Sequence, residues 1–248
     1  MSSRPTPFLT ATWRNLVLMS YEVDPGVLVR YLPRGVELDT WDGRCLVSMV
    51  GLQFRDTRVL RVPVPFYRSY PQVNLRFYVR RWSGGQWRPG VVFIKQIVPR
   101  KLVALVARRV YQEKFIAAPV RHWVEAGPDA ERVRRVSYQW LSQPVWNRLS
   151  VSVSGEPEPS GVGSLEEFVA ERYYGYNQQR DGSTLEYHIE HPRWRIWCAD
   201  RPELACDVAA LYGTEFVESL SGQPVSAFAA EGSEVAVYQG VRLEISPV

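Results

Sequence analysis

The chain has 248 residues, 46% hydrophobic and 23% charged, with 9 Trp, 13 Tyr and 9 Phe, a globular composition that argues against disorder. The length exceeds that of most single domains but suits a barrel or sandwich built as one domain over residues 1–248. The net charge of +4 is spread along the chain, with short clusters at Arg80-Arg81 and at Arg132, Arg134 and Arg135. With no RNA or DNA motif beside it, this charge argues against nucleic-acid binding and suits an anionic small-molecule partner at least as well.

The opening residues, MSSRPTPFLTATWRN, lack the apolar stretch of a signal peptide, and no window approaches the roughly 18 to 20 apolar residues of a membrane span. A soluble, cytoplasmic protein with no membrane partner is expected. After a strand-like run from Leu16 to Tyr21, Asp24 and Pro25 supply an N-cap and first-turn proline for a short helix through Tyr31, which Pro33 and Gly35 end. Asp42-Gly43 is a type I′ hairpin dipeptide ahead of a long strand-like segment. QVNLRFYVRRW and GVVFIKQIV form a second strand pair, joined across Ser83, Gly84 and Gly85. Pro99 opens a helix, RKLVALVARRVYQ, in which Leu102, Leu105, Val106, Arg109 and Val110 keep helical spacing on a broad apolar face, so the helix is expected to be buried.

Three more strand-like runs, VRHWVEA, RVRRVSYQWL and WNRLSVSVSG, precede SGEPEPSGVGS at 154–164, a linker candidate too short to mark a domain boundary. Ser164 and Glu167 make a capping box for a helix through about Arg172. Gly175, inside the cluster Tyr173, Tyr174 and Tyr176, reads as a helix terminator. TLEYHIEH, WRIWCA, PVSAFAA, EVAVYQG and VRLEI return to strands. So many short strands with few helices predict a mainly β (α+β) chain, a β-barrel or strongly curved antiparallel sheet rather than a doubly wound fold.

Strand alternation then assigns faces. Gln72, Asn74, Arg76 and Tyr78 share one face of their strand and Val73, Leu75, Phe77 and Val79 the other. The polar row either meets water or lines a cavity. In a cavity, Arg76 offers a fork for a carboxylate, with Asn74 and Tyr78 as orienting partners. In GVVFIKQIV the only polar members are Lys95 and Gln96. A desolvated Lys95 would be a nucleophile or base; the alternative is a lysine that snorkels to water or pairs with an acid. Lys101, near a helix start, has a stronger claim still to be an ordinary surface lysine. His188 and His191 fall on opposite faces of a strand and cannot share a metal unless Pro192 bends the chain. Cys45, Cys198 and Cys206 form an odd set without a CxxC pair, so neither a disulfide framework nor a zinc site is expected. No GxSxG, P-loop, GxGxxG or HExxH occurs, and no cofactor or metal is indicated.

WRNLVLMSYEVDPGVLVRYLPRGVELDTWDG, VNLRFYVRR, GVVFIKQIVPRKLVALVARRVY, EYHIEHPRW and AEGSEVAVY together resemble the YqjF-like family of conserved bacterial proteins of unknown function. That family is regarded as a distant branch of the acetoacetate decarboxylase-like superfamily, so the resemblance implies a mainly β barrel with an internal pocket. Acetoacetate decarboxylases form a Schiff base on a lysine activated by a neighbouring lysine. Pro99-Arg100-Lys101-Leu102 is similar to their motif, but Arg100 stands at the imine-forming position, where arginine cannot react, and Lys101 matches only the helper. The resemblance also implies Glu at Gln72, Glu at Gln96, His near Tyr67 and His at Arg172, so several proton-exchanging groups are replaced. The implied function is binding of a small carboxylate or keto acid by Gln72, Asn74, Arg76, Tyr78 and Gln96. Lyase or decarboxylase chemistry would fall to Lys95 and Lys101. A noncatalytic sensor and a partner-binding scaffold are the alternatives, and self-association into a homo-oligomer stays open.

Overall fold

The computed structural model describes residues 5–63, 68–99, 114–126 and 133–244. The helix expected from Pro99 onward, Lys101 included, and Tyr67 lie outside the described residues. Among the described residues the strands are β1 Leu9–Glu22, β2 Glu37–Leu38, β3 Leu46–Val59, β4 Val62–Pro63, β5 Tyr70–Ser83 and β6 Gln86–Val98. Then come β7 Phe115–Ala117, β8 Val120–Ala126, β9 Val133–Ser142, β10 Val145–Val153, β11 Glu158–Pro159 and β12 Tyr174–Gln178. The last are β13 Thr184–Glu190, β14 Arg195–Ala205, β15 Ser226–Ala230, β16 Glu234–Val237 and β17 Val241–Arg242.

Pairing closes a circuit. β1 pairs with β3, β3 with β5 and β5 with β6, all antiparallel. β6 meets β12 in parallel through Tyr174↔Gly90 and Gly175↔Val91, and β12, β13, β16 and β1 complete the ring. Closure leaves this ring no free edge. The seam depends on two glycines. A Cβ on Gly90 would stand 2.5 Å from the Tyr174 carbonyl oxygen, and one on Gly175 would land on the Tyr187 ring. Gly175 therefore lies inside a strand and makes room for close packing; it does not end a helix, since the capped helix already stops at Ala170.

From β1 the sheet also continues through β15 and β14 to β10, β9 and β8, a second layer over the outside of the barrel wall. The two periodic faces of the wall strands therefore both become core. Val17, Met19, Tyr21, Val47, Met49, Leu75 and Phe77 pack outward against Val136, Tyr138, Trp140, Leu149 and Val151 of the second layer. Leu16, Leu18, Val50, Leu52, Tyr78 and Val91 point inward, where Leu165 and Val169 of the helix Leu165–Ala170 meet them. Ser164 caps that helix by accepting from the Glu167 amide at 3.1 Å.

Local turn chemistry agrees with the residues at each corner. Asp24 accepts from Gly26 N and Pro25 opens the helix Pro25–Val29. Asp42 and Gly43 both take positive φ, as a type I′ turn requires, and so do Gly84 and Gly85 at the β5–β6 hairpin. Two short helices, Val208–Tyr212 and Val217–Ser221, add to those expected. Among the described residues no helix is long and apolar enough to cross a membrane.

Candidate functional site

β5 is buried on both faces, so its polar row is not a wet surface. Gln72 is 4% exposed, Asn74 2%, Arg76 9% and Tyr78 1%. They stand opposite Leu52, Val50 and Ser48 of β3 and Gln96, Phe93 and Val91 of β6, inside the barrel. Gln72 Nε2 donates to Gln96 Oε1 at 2.9 Å. The Tyr78 hydroxyl joins Ser48 Oγ at 2.5 Å, which joins Ser20 Oγ at 2.7 Å. The expected ligand-binding residues Gln72, Asn74, Arg76, Tyr78 and Gln96 therefore share one interior face.

Lys95 does not share it. The β5–β6 register slips between Leu75↔Lys95 and Arg76↔Phe93, an extra residue that turns Lys95 to the outer face of the wall. There its ammonium donates to the Leu211 carbonyl and lies 5.6 Å from the centre of the Tyr212 ring. Partial burial lowers its pKa. Strict alternation from Val91 and Phe93 would have put Lys95 beside Arg76; the bulge separates them.

Arg76 is the electrostatic centre of the interior. Its Nη2 donates to the Val169 carbonyl at 3.1 Å, one of the unpaired carbonyls at the end of the helix Leu165–Ala170. Among the described residues its Nε has no partner. Beside it Arg172, with a side chain 3% exposed, donates through Nε to Phe168 O at 2.6 Å and is ion-paired with Asp39. Burial lowers the Arg172 pKa, Asp39 opposes that, and Arg76 adds to it. Asp39 is thus committed to Arg172, and among the described residues no carboxylate pairs with Arg76. Buried guanidinium groups are normally paired.

Asn74 Oδ1, Trp13 Nε1, Thr57 Oγ1 and Glu171 Oε1 are also buried without a partner among the described residues. Trp13 stands on Phe54, which stacks on Tyr70, and also meets His191 and Trp194. His191 stacks on Trp194 at 4.4 Å and Tyr173 at 4.9 Å. Its pKa is lowered, first by burial; Arg76 pushes it further down, while the Pro192 carbonyl and Glu171 pull it up. His191 and Tyr173 also line a cleft of about 780 Å³ at one rim, with Thr10, Thr12, Asp56 and Arg58. His188 points elsewhere, stacking on Tyr174 and Tyr238.

Sequence reasoning missed Asp39 and Trp13 as members of this interior, and Thr57 and Glu171 as carriers of buried polar atoms. Each comes from a different segment, and no local motif marks them. Arg172 was visible only as a departure from the family pattern. Chemically, the interior offers fixed donors and acceptors around a guanidinium that meets no carboxylate, and no lysine, from the described residues.

A family model described as uncharacterized conserved protein, DUF2071, matches residues 10–234. The uncharacterized protein YqjF of Bacillus subtilis is 26% identical over 209 residues, 84% of this chain and 83% of that protein. Among solved structures, the enduracididine biosynthesis enzyme MppR, complexed with a condensation product of pyruvate and imidazole 4-carboxaldehyde, superposes with a TM-score of 0.68 at 14% identity, over 96% of this chain and 90% of its own. Acetoacetate decarboxylase from Legionella pneumophila gives 0.67 at 14% identity, over 98% and 90%. These likenesses show an acetoacetate decarboxylase-like fold.

Proposed function

We propose, for a chain that belongs to the DUF2071 family of uncharacterized conserved proteins, that it binds a small carboxylate inside its barrel, with Arg76 as the anion anchor. The observation that carries this reading is the buried Arg76 guanidinium, which among the described residues meets no carboxylate and keeps Nε without a partner, beside an arginine that already holds the nearby acid. A carboxylate there forms charge-assisted hydrogen bonds in a low-dielectric site, where each is worth more than in water. The ligand supplies the charge that the protein does not. The structural neighbours include an acetoacetate decarboxylase and an enzyme seen with a pyruvate condensation product, which supports small acids as the ligand class.

The reading is recognition without Schiff-base chemistry. Lys95 lies on the other face of the wall, Arg100 occupies the imine-forming position of the sequence motif, and Gln72 and Gln96 carry amides where the family resemblance implies acids. Such a protein acts as a receptor or sensor for a cytoplasmic metabolite. Isothermal titration with pyruvate and lactate, and with their uncharged amides, tests it. The acids should bind and the amides should not, and Arg76→Met should weaken acid binding by roughly ten- to a hundredfold. Equal binding of acid and amide, or no effect of Arg76→Met, would remove the anchor.

A further inference from the structure

Hydrogen-bond accounting inside the barrel constrains the ligand beyond its charge. Arg76 Nε, Trp13 Nε1 and Thr57 Oγ1 can donate, and a carboxylate can accept from them. Two further buried atoms can only accept. Asn74 Oδ1 belongs to a residue 2% exposed, two positions from Arg76 on the same face of β5. Glu171 Oε2 accepts from the Tyr173 hydroxyl, while Oε1 on the same carboxylate has no partner. The Tyr173 ring that holds Glu171 stacks on His191 at 4.9 Å.

A simple keto acid carries acceptors alone: its carboxylate satisfies the donors, and its carbonyl has nothing to give Asn74 Oδ1 or Glu171 Oε1. Both acceptors are already shut off from water, and beneath such a ligand they stay without a partner. A hydroxyl or ammonium group near the carboxylate supplies the missing proton. Residues two apart on a strand are about 6.6 Å apart along the chain. A short molecule with its donor one or two carbons from the carboxylate spans that gap.

Building on the carboxylate reading above, we infer that the preferred ligand is a small hydroxy or amino acid, its carboxylate on Arg76 and its donor group on Asn74 Oδ1 or Glu171 Oε1.

Lactate, alanine and pyruvate share one carbon skeleton and differ only at C2, as hydroxyl, ammonium and carbonyl. Titrating the purified full-length protein with each isolates the donor. Lactate, alanine or both should bind at least roughly tenfold more tightly than pyruvate, because only they fill the acceptors. If the donor rests on Asn74, Asn74→Leu should abolish the preference while leaving pyruvate binding intact; if on Glu171, Glu171→Gln should narrow it, most for alanine. Which of lactate and alanine leads identifies hydroxyl or ammonium as the donor. Pyruvate binding as tightly as both would overturn the donor requirement and leave the carboxylate reading standing. Failure of all three to bind would overturn both.

Discussion

Arg76→Met is expected to leave the ligand-free protein about as stable as before, even though it changes a residue only 9% exposed in the barrel. The substitution breaks one hydrogen bond, Nη2 to Val169 O at 3.1 Å, and leaves that buried carbonyl without its donor, at a cost of about 1–3 kcal/mol. Against that, it removes a buried Nε with no partner, worth about 1–3 kcal/mol, and a guanidinium that disfavours charge on Arg172. Methionine keeps most of the apolar stem. The two nearly cancel, so the net change stays within about 2 kcal/mol of zero, less than about 8 °C in Tm either way for a chain of this length. Asp39→Asn is the opposite case, because it strips from Arg172, whose side chain is 3% exposed, the one carboxylate that pairs with it among the described residues. An unpaired buried charge costs about 3–5 kcal/mol, so Tm should fall by about 6–20 °C. Thermal unfolding of both variants without ligand decides the matter. A loss on Arg76→Met as large as that on Asp39→Asn would make Arg76 a structural residue and refute the reasoning.

Other residues give independent tests. Gly90→Ala must push its Cβ against the Tyr174 carbonyl and so open the β6–β12 seam; a loss of about 1–3 kcal/mol is expected in urea unfolding, with Gly161→Ala, whose Cβ meets nothing closer than 3.8 Å, near neutral as control. The lowered pKa of buried His191 means the unfolded chain takes up that proton first. Its contribution to stability is full above the ordinary histidine value of 6.5 and is lost as pH falls below it toward the folded pKa, so His191→Gln should flatten stability against pH in that window. Because Arg76 is one of the groups holding that pKa down, Arg76→Met should raise it, which NMR titration of the ring reads directly. Borohydride reduction with pyruvate should leave the intact mass unchanged; a lysine adduct at Lys95 would contradict the face assigned to it.

Most of the architecture was legible in the residues. Asp42-Gly43 and Gly84-Gly85 marked their turns because only a few residue types tolerate positive φ, and Ser164 and Asp24 marked helix starts through side-chain capping. The polar row on β5 was legible as a row, but its burial depends on closure of the barrel and on a second layer outside it, neither of which alternation can express. Lys95 shows the limit most clearly. One extra residue in β6 reverses the face of every side chain beyond it, and a bulge leaves no trace in the period of an apolar run. Gly175 escapes sequence reading for a related reason: a glycine that ends a helix and a glycine that admits a tyrosine ring look alike until the Tyr187 contact is known. The pairing of Asp39 with Arg172 joins residues 133 positions apart and obeys no local rule.

The most direct test of the account is a crystal structure of the protein soaked in lactate. Density for a carboxylate within hydrogen-bond distance of Arg76 Nε, with the hydroxyl on Asn74 Oδ1 or Glu171 Oε1, is the expected result. An interior without ligand density at saturating lactate, with Arg76 Nε turned onto a protein carbonyl, would contradict it.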